Sequence, residues 1–286
     1  MNKKEFCVFI LTYGRAKKVR TVHTLRKGGY TGKIFLVCST DDNQIEEYKN
    51  LYGEDVIIFN KDDYKGKFDI ADNFEKDNVV VYARNACFDI SSKLGYKYFL
   101  VLDDDYENFR YKFDNEYKFG CFILHQNLDN IFKATLQYYK TINALTISYS
   151  QGGDYIGGGE GQGGESIHIK RKVMNTFFCS IERRFNFLGR INEDVNAYVF
   201  YGNKGGLMFQ INNFAVWQMQ TQANSGGLTE FYLDGGTYLK SFYTVIFAPS
   251  CTKVALMGAV NPRLHHKIYW EHAVPKIISQ NLRKKK

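Results

Sequence analysis

Three consecutive carboxylates, Asp103, Asp104 and Asp105, follow directly on the apolar segment 98–102. Like charges so close together repel one another, and none of them could be buried without a partner. Residues two apart in an extended segment point the same way, so Asp103 and Asp105 converge while Asp104 faces elsewhere. Two hard oxygen ligands suit Mg²⁺ or Mn²⁺, with waters and substrate phosphates completing the coordination. The spacing therefore predicts a divalent metal site, with a solvated turn as the alternative.

The segments around these carboxylates alternate between strand and helix. Short apolar runs predict strands, and segments of helical spacing separate them. The predicted strands are 6–13, 33–40, 56–60 and 96–102, and the predicted helices are 17–26, 43–52 and 78–95. This order indicates an α/β fold with a mostly parallel sheet and helices on both faces. Ligands of such sheets bind beyond the carboxyl ends of the strands, which is where Asp103–Asp105 lie.

The second half of the chain contains a glycine-rich segment between further helices and strands. Helices are predicted at 127–143 and 191–206, and strands at 165–174 and 207–220. Residues 151–165 contain eight glycines, which is typical of a surface loop or of a lid that orders when substrate binds. No repeat or Pro-rich linker interrupts the 286 residues, so we expect a single compact domain with two halves, 1–115 and 116–286.

Four segments, in this order, resemble the GT-A glycosyltransferases, in particular their family-2-like group. They are ILTYGRA (10–16), LVCSTDDN (36–43), ARNACFDISSKLGYKYFLVLDDD (83–105) and NED (192–194). They look like the group's opening strand and loop, its acidic base-recognition site, its ARN helix leading into DxD, and its ED motif. The resemblance implies a Rossmann-like GT-A fold that transfers a sugar from a nucleoside diphosphate, for which we expect UDP. It also implies that residues 1–115 bind the nucleotide sugar, while 116–286 bind the acceptor and carry catalysis.

The same resemblance assigns the donor and its metal to the carboxyl edge of the sheet. Asp103 and Asp105 would hold Mn²⁺ or Mg²⁺, which neutralises the leaving diphosphate. A further ligand would come from His265, with His266 and His272 as alternatives; a structural or surface role is the other possibility for each histidine. The residues expected to bind the donor are Thr12, Tyr13, Arg15, Asp41, Arg84, Asp103 and Asp104.

The resemblance also assigns catalysis to the acidic pair Glu193 and Asp194. Asp194 would act as the general base that deprotonates the acceptor hydroxyl, with inversion of the anomeric centre, and Glu193 is the fallback base. Asp194 also stands at the start of a predicted helix. A helix N-terminal cap is therefore the alternative role for this residue.

The net charge of the chain and the sequence of its last residues favour one kind of acceptor. The net charge is +8, and basic residues crowd the segments around Asp194, which favours a polyanion such as nucleic acid. The ending, 269–286, resembles a phage group of DNA-hypermodifying glycosyltransferases associated with base-oxidising dioxygenases. The expected acceptor is a hydroxymethylated pyrimidine in DNA, flipped out or met in an unpaired strand. The candidate acceptor-binding residues are Lys170, Arg171, Arg190 and Trp217, with Tyr149, Tyr155 and Phe187 as further stacking candidates or core residues.

Other functions are compatible with the same residues. A glycosyltransferase could act on a protein or on a surface glycan instead of DNA. A metal-dependent nuclease or nucleotidyltransferase would also need clustered carboxylates and a basic surface. A non-catalytic nucleic-acid-binding protein would need only the charge and the aromatic side chains, which make up 16% of the chain.

Cysteine usage and hydropathy bear on the compartment. The six cysteines are scattered without a CxxC pair, which indicates a reducing cytosol and argues against a zinc site. No apolar run approaches the ~20 residues that a membrane span needs. We therefore expect a cytoplasmic enzyme, in the host cytoplasm if it is phage-encoded, and the oligomeric state stays open.

Overall fold

The computed structural model describes residues 5–75, 77–113, 116, 119–151, 167–218, 239–257 and 263–283. The strands are β1 (Phe6–Leu11), β2 (Ile34–Ser39), β3 (Val56–Phe59), β4 (Tyr98–Asp103), β5 (Tyr106–Phe113), β6 (Phe119–Ile123), β7 (Thr146–Gln151), β8 (Ile167–His168), β9 (Phe177–Ser180), β10 (Met208–Gln218), β11 (Thr252–Met257) and β12 (Arg263–Ile268). The α-helices are α1 (Arg20–Lys27), α2 (Ile45–Tyr52), α3 (Val81–Leu94), α4 (Leu128–Thr141), α5 (Glu193–Asn203), α6 (Leu239–Phe247) and α7 (Trp270–Ala273). The glycine-rich segment, except for Gln151, and the stacking candidate Tyr155 lie outside the described residues.

Ten strands form one sheet in the order β3-β2-β1-β4-β9-β7-β10-β5-β6, with β8 paired to β10. β1 is parallel to β2 and β4, β2 to β3, and β7 to β10. β9 runs antiparallel to β4 and β7, while β5 runs antiparallel to β10 and β6. Seven of the ten strands, β1, β2, β3, β4, β6, β7 and β10, therefore point in one direction. The predicted α/β fold with a mostly parallel sheet is confirmed.

The sheet has a hydrophobic core on each face. Alternate residues of β1 point to opposite faces, so Val8 and Ile10 enter one core while Cys7 and Phe9 enter the other. Buried residues of α1, α2 and α4 pack into the first core, and those of α3 and α5 pack into the second. Helices therefore cover both faces, as predicted. The opposed packing leaves the carboxyl ends of the strands at the rim between the two layers.

Most predicted elements of the first half are present with shifted bounds. The predicted helix 78–95 is α3, which ends at Leu94 because Gly95 adopts the left-handed conformation (φ 79°) of a helix C-cap. Of the predicted strand 165–174, Ile167–His168 is extended and pairs with two residues of β10, whereas the other residues of this range that the structure describes, 169–174, are not extended. Strands β5, β6 and β9 and the β11–β12 hairpin were not predicted.

A small second sheet supports the start of α5. It is the antiparallel hairpin of β11 and β12, which packs on α6, and α6 in turn packs on α5. The side-chain amide of Asn192, just before α5, donates to the Lys240 carbonyl of α6 at 2.8 Å. The C-terminal third is therefore built around the predicted catalytic helix. None of the helices in the described part of the chain is long and apolar enough to cross a membrane.

Candidate active site

Predicted donor-binding residues from three neighbouring strands meet at one edge of the sheet. Thr12 follows β1, Asp41 lies just after β2, and Asp103 ends β4. Because β2, β1 and β4 are adjacent and parallel, their carboxyl ends share the same rim. This rim is the ligand-binding position of open parallel sheets.

Asp104 and Asp105 form the turn between β4 and β5, so the alternation expected of an extended segment does not apply to them, and Asp104 has partners of its own. It is buried, and its Oδ2 accepts a hydrogen bond from the Thr12 hydroxyl at 2.7 Å. Its Oδ1 lies 3.0 Å from Nη1 of Arg15. Asp104, Thr12 and Arg15 thus tie the loop after β1 to the end of β4. All three were predicted to bind the donor, and in the structure they hold one another at the rim.

Asp105 carries a polar atom that the surrounding protein leaves unsatisfied. Its Oδ1 is buried and has no hydrogen-bond partner among the described residues. Burial, together with the charges of Asp103 and Asp104, raises the pKa of Asp105 to about 7. A buried carboxylate oxygen without a partner beside further carboxylates fits a divalent cation, whose positive charge would offset that of Asp105, while Arg15 and Arg84 already pair with Asp104 and Asp103.

The histidines are not part of this carboxylate group. Among the residues that the structure describes, no three His, Cys, Asp or Glu side chains are placed to hold a metal together. His265 and His266 are neighbours on β12, and only His266 is buried. Its Nδ1 lies 3.3 Å from the side-chain nitrogen of Asn192, and burial lowers the pKa of His266 to about 2. A cation at Asp103 and Asp105 would thus take its other ligands from substrate and water.

Arg84, predicted to bind the donor, joins the two acidic motifs. Its Nη2 lies 3.0 Å from Oδ1 of Asp103, and its Nε lies 2.7 Å from Oε1 of Glu193. The guanidinium carbon lies 5.0 Å from the ring centroid of Phe177 and 5.8 Å from that of Phe187. The pKa of Arg84 is raised because these carboxylates outweigh its burial. The helix α3 thereby supplies one buried cation to both motifs.

Asp194 lies in the first turn of α5 with few partners. Asn192, in the left-handed conformation (φ 55°), occupies the N-cap position that was the alternative role for Asp194. Among the described residues, the one hydrogen bond to the Asp194 side chain comes from the Val195 N–H, at 2.7 Å. Burial raises the pKa of Asp194, as it does for Glu193, and Arg84 opposes the rise at both. Arg84 donates a hydrogen bond to Glu193, whereas its action on Asp194 is electrostatic.

A second cluster at the rim contains a lysine that the sequence analysis missed. Nζ of Lys61 lies 2.8 Å from Oδ2 of Asp41 and 3.1 Å from Oδ1 of Asn78. The same Nζ lies 4.9 Å from the ring centroid of Tyr13. The Lys61 contact lowers the pKa of Asp41 although burial acts against it. Lys61 stands in a run of charged residues, so nothing local distinguishes it from a solvated lysine.

The predicted acceptor-binding residues differ in exposure and in partners. Lys170 is exposed and pairs with Glu271 at 2.6 Å, and Arg171 is half-buried. Trp217 is half-buried, with the guanidinium carbon of Arg110 at 4.0 Å from its ring centroid.

Arg190 and two of the stacking candidates require a correction. Arg190 is fully buried, with its Nε 2.8 Å from Oδ1 of Asp72, so its charge is neutralised inside the protein and not offered to an acceptor. Phe187 and Tyr149 are buried in the two cores. Their role is packing.

The chain belongs to the TET-associated glycosyltransferase family, whose model matches residues 6–227. The predicted enzyme class is thereby confirmed. No curated protein sequence matches the chain.

Several solved glycosyltransferase structures are similar to this fold. TarS of S. aureus in complex with UDP has a TM-score of 0.44 and 10% identity, over 85% of this chain and 66% of that one. Glucosyl-3-phosphoglycerate synthase of Mycobacterium tuberculosis with Mg²⁺ and UDP has a TM-score of 0.48 and 7% identity, over 93% and 88%. GalNAc-T7 with UDP, GalNAc and Mn²⁺ has a TM-score of 0.47 and 16% identity, over 76% and 44%. At these identities the likeness concerns the fold alone.

Proposed function

We propose that the protein transfers the sugar of a UDP-sugar to the hydroxymethyl group of a modified pyrimidine base in DNA. The transfer uses Mn²⁺ or Mg²⁺ and inverts the anomeric carbon. The observation that carries the proposal is the unpartnered Oδ1 of Asp105 at the rim, together with Arg84, which pairs with Asp103 and with Glu193, the neighbour of Asp194 in the chain. Together these residues would bind a metal ion with the donor diphosphate and would supply a general base.

The rim residues support the donor part of the proposal. Asp103 and Asp105 would hold the cation, and the cation would neutralise the charge that develops on the leaving diphosphate. Asp104 stays bound to Thr12 and Arg15, so it would stabilise the turn while Asp103 and Asp105 bind the cation. The nucleoside would lie over the ends of β1 and β2, beside Tyr13 and Asp41.

Asp194 is the better of the two candidate bases. Glu193 would have to leave Arg84 to accept a proton, whereas Asp194 accepts only one hydrogen bond, from the Val195 N–H, within the described part of the chain. Its raised pKa makes it a stronger base than a solvated aspartate. Asp194 takes the proton of the acceptor hydroxyl as that oxygen bonds to the anomeric carbon. The bond from this carbon to the diphosphate oxygen breaks on the opposite face, which inverts the centre.

Four features support DNA as the acceptor. The family is named for its association with TET, and residues 269–286 resemble phage DNA-hypermodifying enzymes, which implies action in the host cytoplasm. The chain carries a net charge of +8. The positive charge of Lys172 acts on Asp194, so a cation stands near the proposed base. A phosphate backbone would be attracted to this side of the site.

The test is transfer of radiolabelled sugar to DNA in the presence of Mn²⁺. Duplex and single-stranded oligonucleotides would carry cytosine, 5-hydroxymethylcytosine or 5-hydroxymethyluracil, across a salt series. We expect label only on the hydroxymethylated strands, with UDP released in equal amount and with DNA binding weakened steeply by salt. The Asp194→Asn variant should bind UDP but transfer little.

The other outcomes identify the alternatives. Release of UDP from the sugar without label on any DNA would contradict a DNA acceptor and direct the search to a protein or glycan. Cleavage of the oligonucleotide would identify a nuclease. DNA binding without turnover of any nucleotide sugar would indicate a non-catalytic nucleic-acid-binding protein.

A further inference from the structure

One part of the central sheet is not covered by the second core. Alternate residues of β5 and β10 point to opposite faces, and the cross-strand pair Phe109 and Val216 belongs to the first core, with α1 and α4. The next pair, Asn108 and Trp217, therefore points to the opposite face, on which α3 and α5 lie. The second core packs on that face, but among the residues that the structure describes it contains none from β5 or β6.

Trp217 and Arg110 form a stacked pair on this uncovered part of the sheet. The guanidinium carbon of Arg110 lies 4.0 Å from the ring centroid of Trp217. Arg110 pairs with Ala215 across the strands, so it points to the same face as Trp217. Its Nε donates to Oδ1 of Asn108 at 2.7 Å, which fixes the plane of the guanidinium. Both members of the pair are half-buried, so part of a flat ring and of a planar cation stays accessible.

The stacked pair lies a short distance from the DxD turn. Asn108, the cross-strand partner of Trp217, is three residues beyond Asp105, which corresponds to about 10 Å of extended chain. A cation at Asp103 and Asp105 would hold the donor diphosphate at the near end of this interval. The sugar to be transferred would then lie between the turn and Trp217.

The same end of β10 is connected to the start of α5. Gln218, the residue after Trp217, accepts a hydrogen bond from the side-chain amide of Asn175. Met174, the residue before Asn175, packs against the small core that contains Val195. Val195 follows the proposed base in α5. Trp217 is therefore placed on the side of the sheet, and at the end of the strand, from which an acceptor could reach that base.

The chemistry of the stacked pair fits a nucleobase on a phosphate backbone. The π face of tryptophan binds flat rings, and a base offers such a face whatever its sequence context. A guanidinium stacks on rings and also binds phosphate, which a neutral glycan does not carry. Sheet faces that combine aromatic side chains with arginine bind unpaired nucleic acid in this way.

We infer that Trp217 and Arg110 form the subsite on which the ring of the acceptor base stacks, so that its hydroxymethyl group faces Asp194. The inference rests on the proposed function, which supplies the DNA acceptor. A base inside a duplex is stacked on its neighbours, so it reaches this subsite only when it is flipped out or lies in an unpaired strand. Trp217 binds the base, while Arg110 holds the indole ring and attracts the adjacent phosphate.

The test is binding of labelled single-stranded oligonucleotides to the full chain with UDP and Mn²⁺, followed by fluorescence anisotropy across a salt series. One oligonucleotide carries a single hydroxymethylated pyrimidine, and the other has an abasic site at the same position. The variants are Trp217→Ala, Trp217→Phe and Arg110→Met. Circular dichroism verifies that each variant is folded.

Two matched controls lie away from the subsite. Phe122→Ala removes an exposed aromatic ring from the opposite face of the same sheet, where Phe122 pairs with Tyr111. Arg20→Met removes an exposed cation from α1, which packs on that opposite face. UDP affinity, measured by calorimetry, should be the same in all variants and controls, because the subsite takes the acceptor and not the donor.

We expect Trp217→Ala to weaken binding of the hydroxymethylated strand about tenfold, as the loss of one base–aromatic stack predicts, and to leave binding of the abasic strand unchanged. Trp217→Phe should retain most of the affinity, since a ring remains. Arg110→Met should weaken the binding of both strands and should reduce the salt dependence by about one ion, because a phosphate contact is lost. Both controls should match the wild type.

Two results would overturn the inference while leaving the proposed function intact. One is wild-type affinity of Trp217→Ala for the hydroxymethylated strand, and the other is an equal loss for the abasic strand. A wild-type protein that transfers sugar to no DNA would instead overturn the proposed acceptor, and this subsite with it.

A fluorescence measurement decides if Trp217→Ala does not fold. The chain contains two tryptophans, so Trp270→Phe leaves Trp217 as the one indole. Stacking on a base should quench its emission with the hydroxymethylated strand and not with the abasic strand. Equal emission with the two strands would contradict the inference.

Discussion

Nε of Arg84 lies 2.7 Å from Oε1 of Glu193, and both side chains are buried. The same guanidinium lies 3.0 Å from Asp103, which ends β4. The DxD turn and the acidic start of α5 are distant in the chain, yet they share one cation. Each motif therefore depends on the same arginine for its charge balance.

Replacing Arg84 by methionine should destabilise the fold strongly. It leaves Asp103 and Glu193 without their cation, and removing one partner of a buried ion pair costs about 3–5 kcal/mol. The measurement is the free energy of unfolding in urea, compared at unchanged m-value. Arg184→Met is the control, since the pair of Arg184 with Asp89 is partly exposed to solvent and contributes at most about 1 kcal/mol. Equal losses in the two variants would contradict the bridging role of Arg84.

Substitutions of the two acidic residues at the start of α5 should differ in their effect on turnover. Asp194→Asn should lower turnover about 10²–10⁴-fold with little change in UDP affinity, because only the general base is lost. Glu193→Gln should keep more turnover and should instead lower stability, since Arg84 then loses a charged partner. Steady-state rates and the configuration of the product check this prediction. A retained anomeric configuration would exclude Asp194 as the base of a single displacement.

Asp105→Asn should abolish cation-dependent nucleotide binding and leave the fold intact. An amide oxygen is a weaker ligand for Mn²⁺ than a carboxylate, and the remaining negative charge at the rim decreases. The measurement is the electron paramagnetic resonance signal of Mn²⁺ titrated with protein and UDP. Asp129→Asn, far from the rim on α4, is the control. Wild-type activity in excess EDTA would rule out a metal requirement.

His266 should contribute to the pH dependence of stability. Burial lowers its pKa to about 2 in the folded protein, whereas in the unfolded chain it takes up a proton near pH ~6.5. Below that pH the unfolded state binds more protons, so stability is lost as the pH falls, by at most about 1.4 kcal/mol per pH unit.

The His266→Phe variant tests this contribution. It should show a shallower decline in the free energy of unfolding between about pH 6.5 and 5 than the wild type. His272→Phe, which removes an exposed imidazole, is the comparison. Identical slopes for His266→Phe and the wild type would contradict a buried neutral histidine.

The parts of the fold that follow local rules were predictable from the sequence. β1, β2 and β4 are apolar up to their carboxyl ends, where Ser39 and Asp103 stand, because both faces of a parallel sheet are covered, and that pattern is visible without a structure. The place of Asp103 at the carboxyl end of β4 was also predictable, although Asp104 and Asp105 lie in the following turn, where the two-residue period of an extended chain does not apply. The glycosyltransferase class came from four short motifs in order, and the family match confirms it.

What the sequence could not supply are contacts between distant segments. Arg190 stands among basic residues and looked like part of a cationic surface, but Asp72 neutralises it inside the protein. Lys61 looked like an ordinary surface lysine, because only the parallel pairing of β2 and β3 brings it to Asp41. The roles of these two residues depend on tertiary structure, which local sequence patterns do not predict.

The last strand of the ten-stranded sheet affects how the protein can be handled. β6 ends the strand order, and its Phe122 and Ile123 are 49% and 45% exposed beside the exposed thiol of Cys121. An apolar edge strand pairs readily with the edge of another molecule, and an accessible thiol can lock that contact as a disulfide. Purification under reducing conditions, or with Cys121→Ser and a lysine at Phe122, should therefore yield a more monodisperse sample for crystallisation.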